Sequence, residues 1–421
     1  MKQHMDWQAA AREAWLYGLP LVEMSALRAR HAAQGARPGA FLHMRSLPMA
    51  EDRSLTTPNN DTLYSFCWVD LRAGPVKLDI PAIEQRYWSV AVMNMFTDNE
   101  AVLSRRTLPV QGGSVLLTGP DHADDALEAG LQVRVRTRQA CIMLRIVIQG
   151  PDDAARVHAL QDGFRVRQAA AGAGFLPAGS VAVDRQAAAG NYLHAVGRML
   201  ADQAPALDEA GKAVMQRLAP VLTGAWGPDQ QEAVEQGVAL ARADLVQPPL
   251  PASCVNGWNY PARNLGRFGL DLLYRARVSV RGLAALPVSE AMYMRAMGED
   301  GSGLFEGGQS HCLRLPARLP LQGFWSLTLY ESVNGGFYLS PNALQRHVIN
   351  DRMPGLRRRE DGGIDLWIGS RDPGPERRGN WLPAPQDKAY ALYFRCYEPD
   401  AELLDGRWRL PPLQAVEDGA D

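Results

Sequence analysis

No stretch of this 421-residue chain approaches the ~18 consecutive apolar residues that a membrane-spanning helix needs. The compact catalytic signatures are missing too. There is no HExxH pair, no CxxC and no Walker loop. Gly172-Ala-Gly174 runs into Pro177 where a dinucleotide fingerprint would carry its third glycine. Gly308-Gln-Ser310-His-Cys312 begins like a nucleophile elbow, but it lacks the closing glycine and reads as a strand. DGSGLFE (300–306) does not have the spacing of a calcium loop. Charge of one sign is also absent: 44 basic residues face 46 acidic ones, for a net charge of −2, which argues against a nucleic-acid partner. The opening MKQHMDWQAAREAW has no apolar core or cleavage site of a signal peptide, and the five cysteines form no paired motif. The expectation is a cytoplasmic chain in a reducing compartment, with no membrane and no nucleic acid as partner. These absences argue against nucleotide-dependent enzymes and standard serine hydrolases. They leave room for a metal site assembled from distant residues.

What the sequence does contain is ordinary globular usage, 46% hydrophobic and 21% charged, in a chain too long for one simple core. Trp7, Ala11, Ala14, Trp15, Gly18 and Val22 recur at helical spacing, so residues 6–30 read as an amphipathic helix that Pro20 should kink or divide. The period then changes to two. Segments 63–71, 87–96, 114–118, 132–138 and 141–149 read as strands. Helical spacing returns near 152–171, 186–201, 208–222 and 229–243, followed by the Pro-rich break VQPPLPAS (246–253) and a further helical stretch at 262–297. Strands resume at 310–315, 323–331, 337–340, 346–349, 364–368 and 389–397.

The two β regions repeat each other. LPLQGFWSLTLYE (319–331) echoes IEQRYWSVAVMN (83–94), DGGIDLWIGSRDP (361–373) echoes QGGSVLLTGPD (111–121), the strand holding Arg395 echoes the one holding Arg145, and SHC (310–312) echoes SFC (65–67). Matches in a common order predict an α+β chain: two related antiparallel β-sandwich modules, jelly-roll-like, with an N-terminal helix and a helical insert. The expected units are 1–40, 41–151, 152–300 and 301–421.

Several polar residues look out of place in such a β-core. In TTPNNDTLYS (56–65), Asn59, Asn60 and Asp61 enter a strand that carries Tyr64. The plain reading is a turn, since Asn and Asp bond their own backbone. The functional reading makes Asp61 an acid or base and Tyr64 a proton donor at the mouth of the first module, with Asn59 and Asn60 as substrate ligands. Asn94, Asp98 and Asn99 sit together at a strand end, either as caps or as substrate ligands. Arg145 and Arg395 each stand alone on an apolar strand face, where an arginine is either ion-paired or clamps a carboxylate. Arg275 is a third candidate for an anionic group. Trp325, Tyr330 and Trp381 are candidate walls, and Asn380 a candidate ligand from the loop RGNWLPAP (378–385). By contrast Arg134, Arg136 and Arg138, alternating with Val133 and Val135, read as a solvated edge. His311 and His347 lie on strands of the second region, but without the close spacing of a metal site, so no cofactor is expected.

PNNDTLYS, WVDLRAGPVKLDIP and RYWSVAV in the first half, and GFWSLTLYE, NWLPAP, FRCYEP and LDGRW in the second, resemble a tandem family labelled domains of unknown function 1254 and 1214. The resemblance runs from about residue 10 to 412. It implies β-sandwich modules with a helical part and no particular reaction. The chain departs from the usual pattern at Asn94-Met95-Phe96-Thr97-Asp98-Asn99, where many members have Asp-x-Tyr-Thr-Asn, and at Arg346-His347 in place of Arg-Tyr. Many members also carry an export signal. These departures imply a subfamily with its own substrate.

The functional expectation is an enzyme acting on a small organic molecule by acid–base chemistry, of hydrolase, lyase or isomerase type, in a pocket between the modules. Asp61, Tyr64, Arg145 and Arg395 are the catalytic candidates. The alternatives are a glycan- or metabolite-binding protein that stacks its ligand on Trp68, Trp88, Trp325 and Trp367, and a metal-dependent jelly-roll oxygenase. A homo-oligomer is compatible with either.

Overall fold

The computed structural model describes residues 5–53, 56–122, 130–168, 183–203, 209–246, 254–298 and 301–416. Gly172, Gly174 and Pro177, residues 247–253 of the Pro-rich break and Asp300 lie outside them.

The helix α1 (Trp7–Ala33) starts at Asp6, whose carboxylate accepts from the Ala9 N–H at 3.0 Å. It runs through Pro20 as one helix, so the expected division there does not occur. Nor is it amphipathic in its middle. Ala14 to Val22 are all buried, because the helix is enclosed on several sides. It packs on α3 (Ala189–Gln203), α4 (Glu209–Thr223), α5 (Pro228–Val246) and α6 (Leu272–Arg281), which follow α2 (Ala154–Gly163). Gly237 of α5 lets the two backbones touch: a Cβ there would stand 2.3 Å from the Gln8 carbonyl.

The first half supplies β1 (Leu42–His43), β2 (Thr62–Asp70), β3 (Val76–Ile80), β4 (Trp88–Asn94), β5 (Asn99–Ser104), β6 (Gly113–Thr118), β7 (Leu131–Arg134), β8 (Gln139–Val147) and β9 (Arg165–Gln168). They form one sheet in the order β1-β2-β8-β4-β5 and another in the order β7-β6-β3-β9. The second half supplies β10 (Cys254–Val255), β11 (Trp258–Asn259), β12 (Ala291–Ala296), β13 (Ser310–Leu315), β14 (Trp325–Val333), β15 (Gly336–Leu339), β16 (Val348–Asn350), β17 (Ile364–Gly369), β18 (Trp381–Pro383), β19 (Tyr390–Tyr397) and β20 (Leu413–Val416), with the short helix α7 (Ala401–Asp405) before the last. Here the orders are β10-β11-β12-β19-β14-β15, with β16 also on β14, and β18-β17-β13-β20. The chain is thus α+β with several largely antiparallel sheets, and none is a closed barrel among the described residues.

Strand for strand, β2-β8-β4-β5 matches β12-β19-β14-β16, with β15 an addition beyond β16 on the same edge of β14, and β7-β6-β3-β9 matches β18-β17-β13-β20. Even the parallel pairs recur at the same place, β6 with β7 and β17 with β18. The Trp-Ser echo survives this comparison, because β4 matches β14. The SFC/SHC echo does not: β2 corresponds to β12, while β13 corresponds to β3. Two helical readings are corrected with it. Residues 152–171 contain α2 but then β9, and 262–297 contain α6 but then β12. β9 is hidden because it is four residues long and follows α2 after Phe164 alone.

The aliphatic face of β8, with Ile142, Leu144 and Ile146, packs against β3 and β6 in one apolar cluster. Its other face, with Cys141, Met143 and Val147, packs into a second cluster that includes α1, α3, α5 and residues Ala291, Phe324 and Tyr397 of the second half. This explains why the face that carries Arg145 is itself apolar: it lies in the joint between the halves. All five cysteines are free, and only Cys254 is exposed.

Candidate functional site

Backbone register brings one row of side chains to the centre in each half. In the first, Tyr64 of β2 pairs with Arg145 of β8, which pairs with Ser89 of β4. In the second, Tyr293 of β12 pairs with Arg395 of β19, which pairs with Ser326 of β14. Asp61 stands three residues before Tyr64, and Glu290 three before Tyr293. The outer neighbours extend the match: Ser89 pairs with Ser104 of β5 and Ser326 with Asn350 of β16, so Arg106 and Arg352 are equivalent, each two residues further on.

Each acid reaches across to the opposite half. Asn59 makes the turn that aims Asp61, accepting from the Asp61 N–H at 2.7 Å and the Thr62 N–H at 3.0 Å, and it donates to the Tyr397 hydroxyl at 2.7 Å. Asn60 donates to the Pro48 carbonyl at 2.9 Å. Tyr330 ties down the same turn by donating to the Pro58 carbonyl at 2.6 Å. The turn reading therefore holds, and the same turn aims Asp61 at the second half. The Asp61 carboxylate is fully buried. It accepts from Ser326 Oγ at 2.6 Å and Asn350 Nδ2 at 3.2 Å, with Arg352 Nη2 at 3.9 Å. Glu290 accepts from the Tyr87 hydroxyl at 2.9 Å, which lies 3.1 Å from Ser89 Oγ, and is ion-paired to Arg106.

Arg145 is 4% exposed and meets no carboxylate among the described residues. It donates to the Tyr293 hydroxyl at 3.1 Å and the Ala284 carbonyl at 3.2 Å, lies 5.0 Å from the Tyr64 ring centroid, and its Nε has no partner. Arg395 donates to Thr328 Oγ1 at 2.7 Å and the Tyr330 hydroxyl at 2.6 Å, again without an ion pair. Burial pushes the Tyr64 phenol up, with Arg145 pulling the other way, so it stays protonated at neutral pH.

Sequence reasoning missed Asp351, Arg352, Glu290 and Tyr87. Arg352 lies 3.7 Å from the Phe324 ring centroid, and its three guanidinium nitrogens are buried without a hydrogen-bond partner. Burial pushes the Asp351 carboxyl up to about 6, with Arg352 pulling it down and Asp61 pushing it further up. The folded protein therefore holds a proton on Asp351 at pH values where the unfolded chain has lost it. The stability this contributes is full below about pH 4 and is lost as pH rises through 6. Asp351→Asn is expected to be the more stable protein above pH 6, by about 1–3 kcal/mol, with the difference closing below pH 4. Urea midpoints at the two pH values check this.

Other sequence candidates lie in separate networks. Asp98 and Arg275 hold each other at 3.0 Å, both buried, and Asp98 also accepts from the Phe268 N–H at 2.8 Å. Asn94 caps its own loop through the Phe96 and Asp98 N–H groups, at 2.9 and 3.1 Å. Asn380 staples Arg357 and Asp365 backbone, and Trp381 donates to the Gly369 carbonyl at 2.9 Å. Trp325 is core, stacked on Phe394 at 5.5 Å. His311 meets the Tyr390 hydroxyl at 3.2 Å and His347 the Ser340 carbonyl at 3.0 Å. No group of three or more His, Cys, Asp or Glu side chains that could hold a metal occurs among the described residues.

The family model described as "Protein of unknown function (DUF1254)" matches residues 38–168, and "Protein of unknown function (DUF1214)" matches 290–401. The first range ends with β9 and the second begins just before β12, so the models include both strands that the helical readings concealed. No curated protein matches the chain. Among solved structures, the VPA0106 protein from Vibrio parahaemolyticus is similar over 98% of this chain and 100% of its own, at 22% identity and a TM-score of 0.73, which shows a shared fold. A putative uncharacterized protein from Burkholderia cenocepacia covers 98% of this chain and 95% of its own at 12% identity, with a TM-score of 0.48. The chain belongs to the tandem family that joins an N-terminal DUF1254 domain to a C-terminal DUF1214 domain.

Proposed function

We propose that the centre between the two halves is the site of an enzyme that acts on a small organic anion by acid–base chemistry. Arg145 carries the reading. A fully buried guanidinium that bonds only neutral groups is costly, and one N–H of this one is left over. Three guanidiniums at the centre, of Arg145, Arg352 and Arg395, outnumber two carboxylates, of Asp61 and Asp351, and of the three only Arg352 lies within 4 Å of either. One anionic ligand group balances them. In this reading Arg145 and Arg395 orient the substrate, the Tyr64 phenol donates a hydrogen bond, and Asp61, held in one rotamer by Ser326 and Asn350, moves the proton. The reaction is of hydrolase, lyase or isomerase type. We further take the two sheet pairs as copies of one sandwich, jelly-roll in type, and the free thiols as a sign of a reducing, cytoplasmic setting. The stacking alternative is disfavoured by its own residues: Trp68, Trp88 and Trp325 are buried in apolar clusters.

A thermal-shift screen of small organic acids, followed by NMR detection of turnover, tests this. Asp61→Asn is expected to keep the ligand-induced shift and lose at least ~100-fold in turnover. Unchanged turnover in a folded Asp61→Asn protein removes Asp61 from the mechanism.

A further inference from the structure

The internal duplication gives the central acid two copies, and they are finished differently. Glu290 is closed: the Tyr87 hydroxyl donates to it at 2.9 Å and Arg106 is ion-paired to it, with Arg106 Nη2 also donating to the Ser289 carbonyl at 3.0 Å. At the Asp61 copy, register puts Phe324 where Tyr87 stands, so that hydroxyl is missing. It puts Arg352 where Arg106 stands, but Arg352 Nη2 stays 3.9 Å from Asp61 and Nη1 3.6 Å from Asp351, beyond hydrogen-bond range. All three of its guanidinium nitrogens, and Asp351 Oδ1 beside them, are buried and unsatisfied. Four such atoms on two adjacent residues need a partner. The equivalent position shows what a satisfied arginine looks like in this fold.

We propose that Arg352 is a substrate-binding residue: its unsatisfied N–H edge takes a carboxylate of the ligand beside Asp61, while the Glu290–Arg106 copy is structural. This rests on the reading of the centre as an anion site and adds to it the recognising group and the ligand class. A guanidinium is suited to a carboxylate because two parallel N–H groups match its two oxygens. Phe324 fixes the plane of that guanidinium from below. Asn350 and Ser326 meanwhile hold Asp61 on the same side.

The test uses the full chain and follows melting in sodium acetate, succinate and benzoate against sodium chloride at equal ionic strength. The unaltered protein is expected to melt higher in at least one carboxylate than in chloride. Arg352→Met is expected to fold, to melt close to the parent in chloride because it removes no hydrogen bond, and to lose the carboxylate shift. Arg352→Lys, which keeps the charge without the fork, should need at least ~10-fold more carboxylate for the same shift. Arg106→Met is expected to melt lower than either and to keep the carboxylate shift. A shift that persists in Arg352→Met but disappears in Arg145→Met overturns the role of Arg352 and leaves the anion site standing. A shift lost in Arg352→Met but kept in Arg145→Met supports the inference and removes Arg145 from the site. No carboxylate shift in the unaltered protein overturns both. If Arg352→Met and Arg106→Met lose equal stability and both keep the shift, Arg352 is structural.

Discussion

Arg86→Met is expected to cost about 3–5 kcal/mol of stability at neutral pH. Arg86, two residues before β4, is 3% exposed at its side chain and grips Asp153 with both Nη atoms, each at 2.8 Å. It also donates to the Val147 carbonyl at the end of β8, at 3.0 Å. One side chain thus ties β4, β8 and the turn before α2. Methionine fills a similar volume but leaves a largely buried carboxylate without its counter-charge, the more expensive way to break an ion pair. The pH dependence has a definite sign. Burial works against the Asp153 charge, but the Arg86 fork and the Gln149 N–H outweigh it and hold the carboxyl below its usual range. Its contribution is present above about pH 4 and is lost as pH falls through the lower, folded value. The gap between parent and Arg86→Met should therefore narrow in acid. Guanidinium unfolding at neutral and acid pH measures it. A loss under ~1 kcal/mol at neutral pH means that the pair is not worth its geometry.

Arg145→Met is expected to go the other way: no loss, and a gain of up to about 1–4 kcal/mol, in the ligand-free protein. Arg145 is as buried as Arg86 but has no carboxylate, only the Tyr293 hydroxyl, the Ala284 carbonyl and the Met143 sulfur. Desolvating that charge is a cost with little return until an anion arrives. An apolar side chain among Met143, Tyr64 and Tyr293 removes the cost. The same variant should lose the carboxylate response. Stability gained with binding lost is the mark of a residue kept for function. A loss of 3 kcal/mol or more instead shows that Arg145 belongs to a structural network. Two buried arginines on neighbouring strands thus carry opposite expectations, and only their partners distinguish them.

Those partners mark the limit of what the sequence reveals. The Trp-Ser echo is readable because Trp88 and Trp325 must fill the same place in each core, and Ser89 and Ser326 must be small beside an arginine. Arg145 and Arg395 are readable because a lone charge in an apolar strand has to be explained. Asp61 is conspicuous in its turn. Arg352 follows Asn350-Asp351 in what reads as any polar turn. Its interest depends on Asp61, brought near by β2 and β14, and on the N–H groups that no residue takes up. Glu290 and Tyr87 lie 203 positions apart and mean nothing until paired. β12 escaped although its burial alternates, with Met292, Met294 and Ala296 inside and Tyr293 and Arg295 partly exposed: alanine and methionine favour helix, and the large apolar ring of Tyr293 on the outer face blurs the period of two. Even aligning Ser89 with Ser326 does not lead to Arg352 in the sequence, because the hairpin partner of β14 is β15 and only the fold sets Asn350 of β16 beside Ser326.

The matched strand orders carry one more consequence. In a symmetric pair of subunits, a substitution in one binding centre is imposed on its mate as well. Here the two mates share a peptide chain, so each can be altered while the other is left alone. Glu290 is met by Tyr87 and Arg106, while Asp61, its counterpart, is met by Ser326 and Asn350 and leaves Arg352 without a hydrogen bond. Covalent linkage lifts the constraint that symmetry imposes on separate subunits.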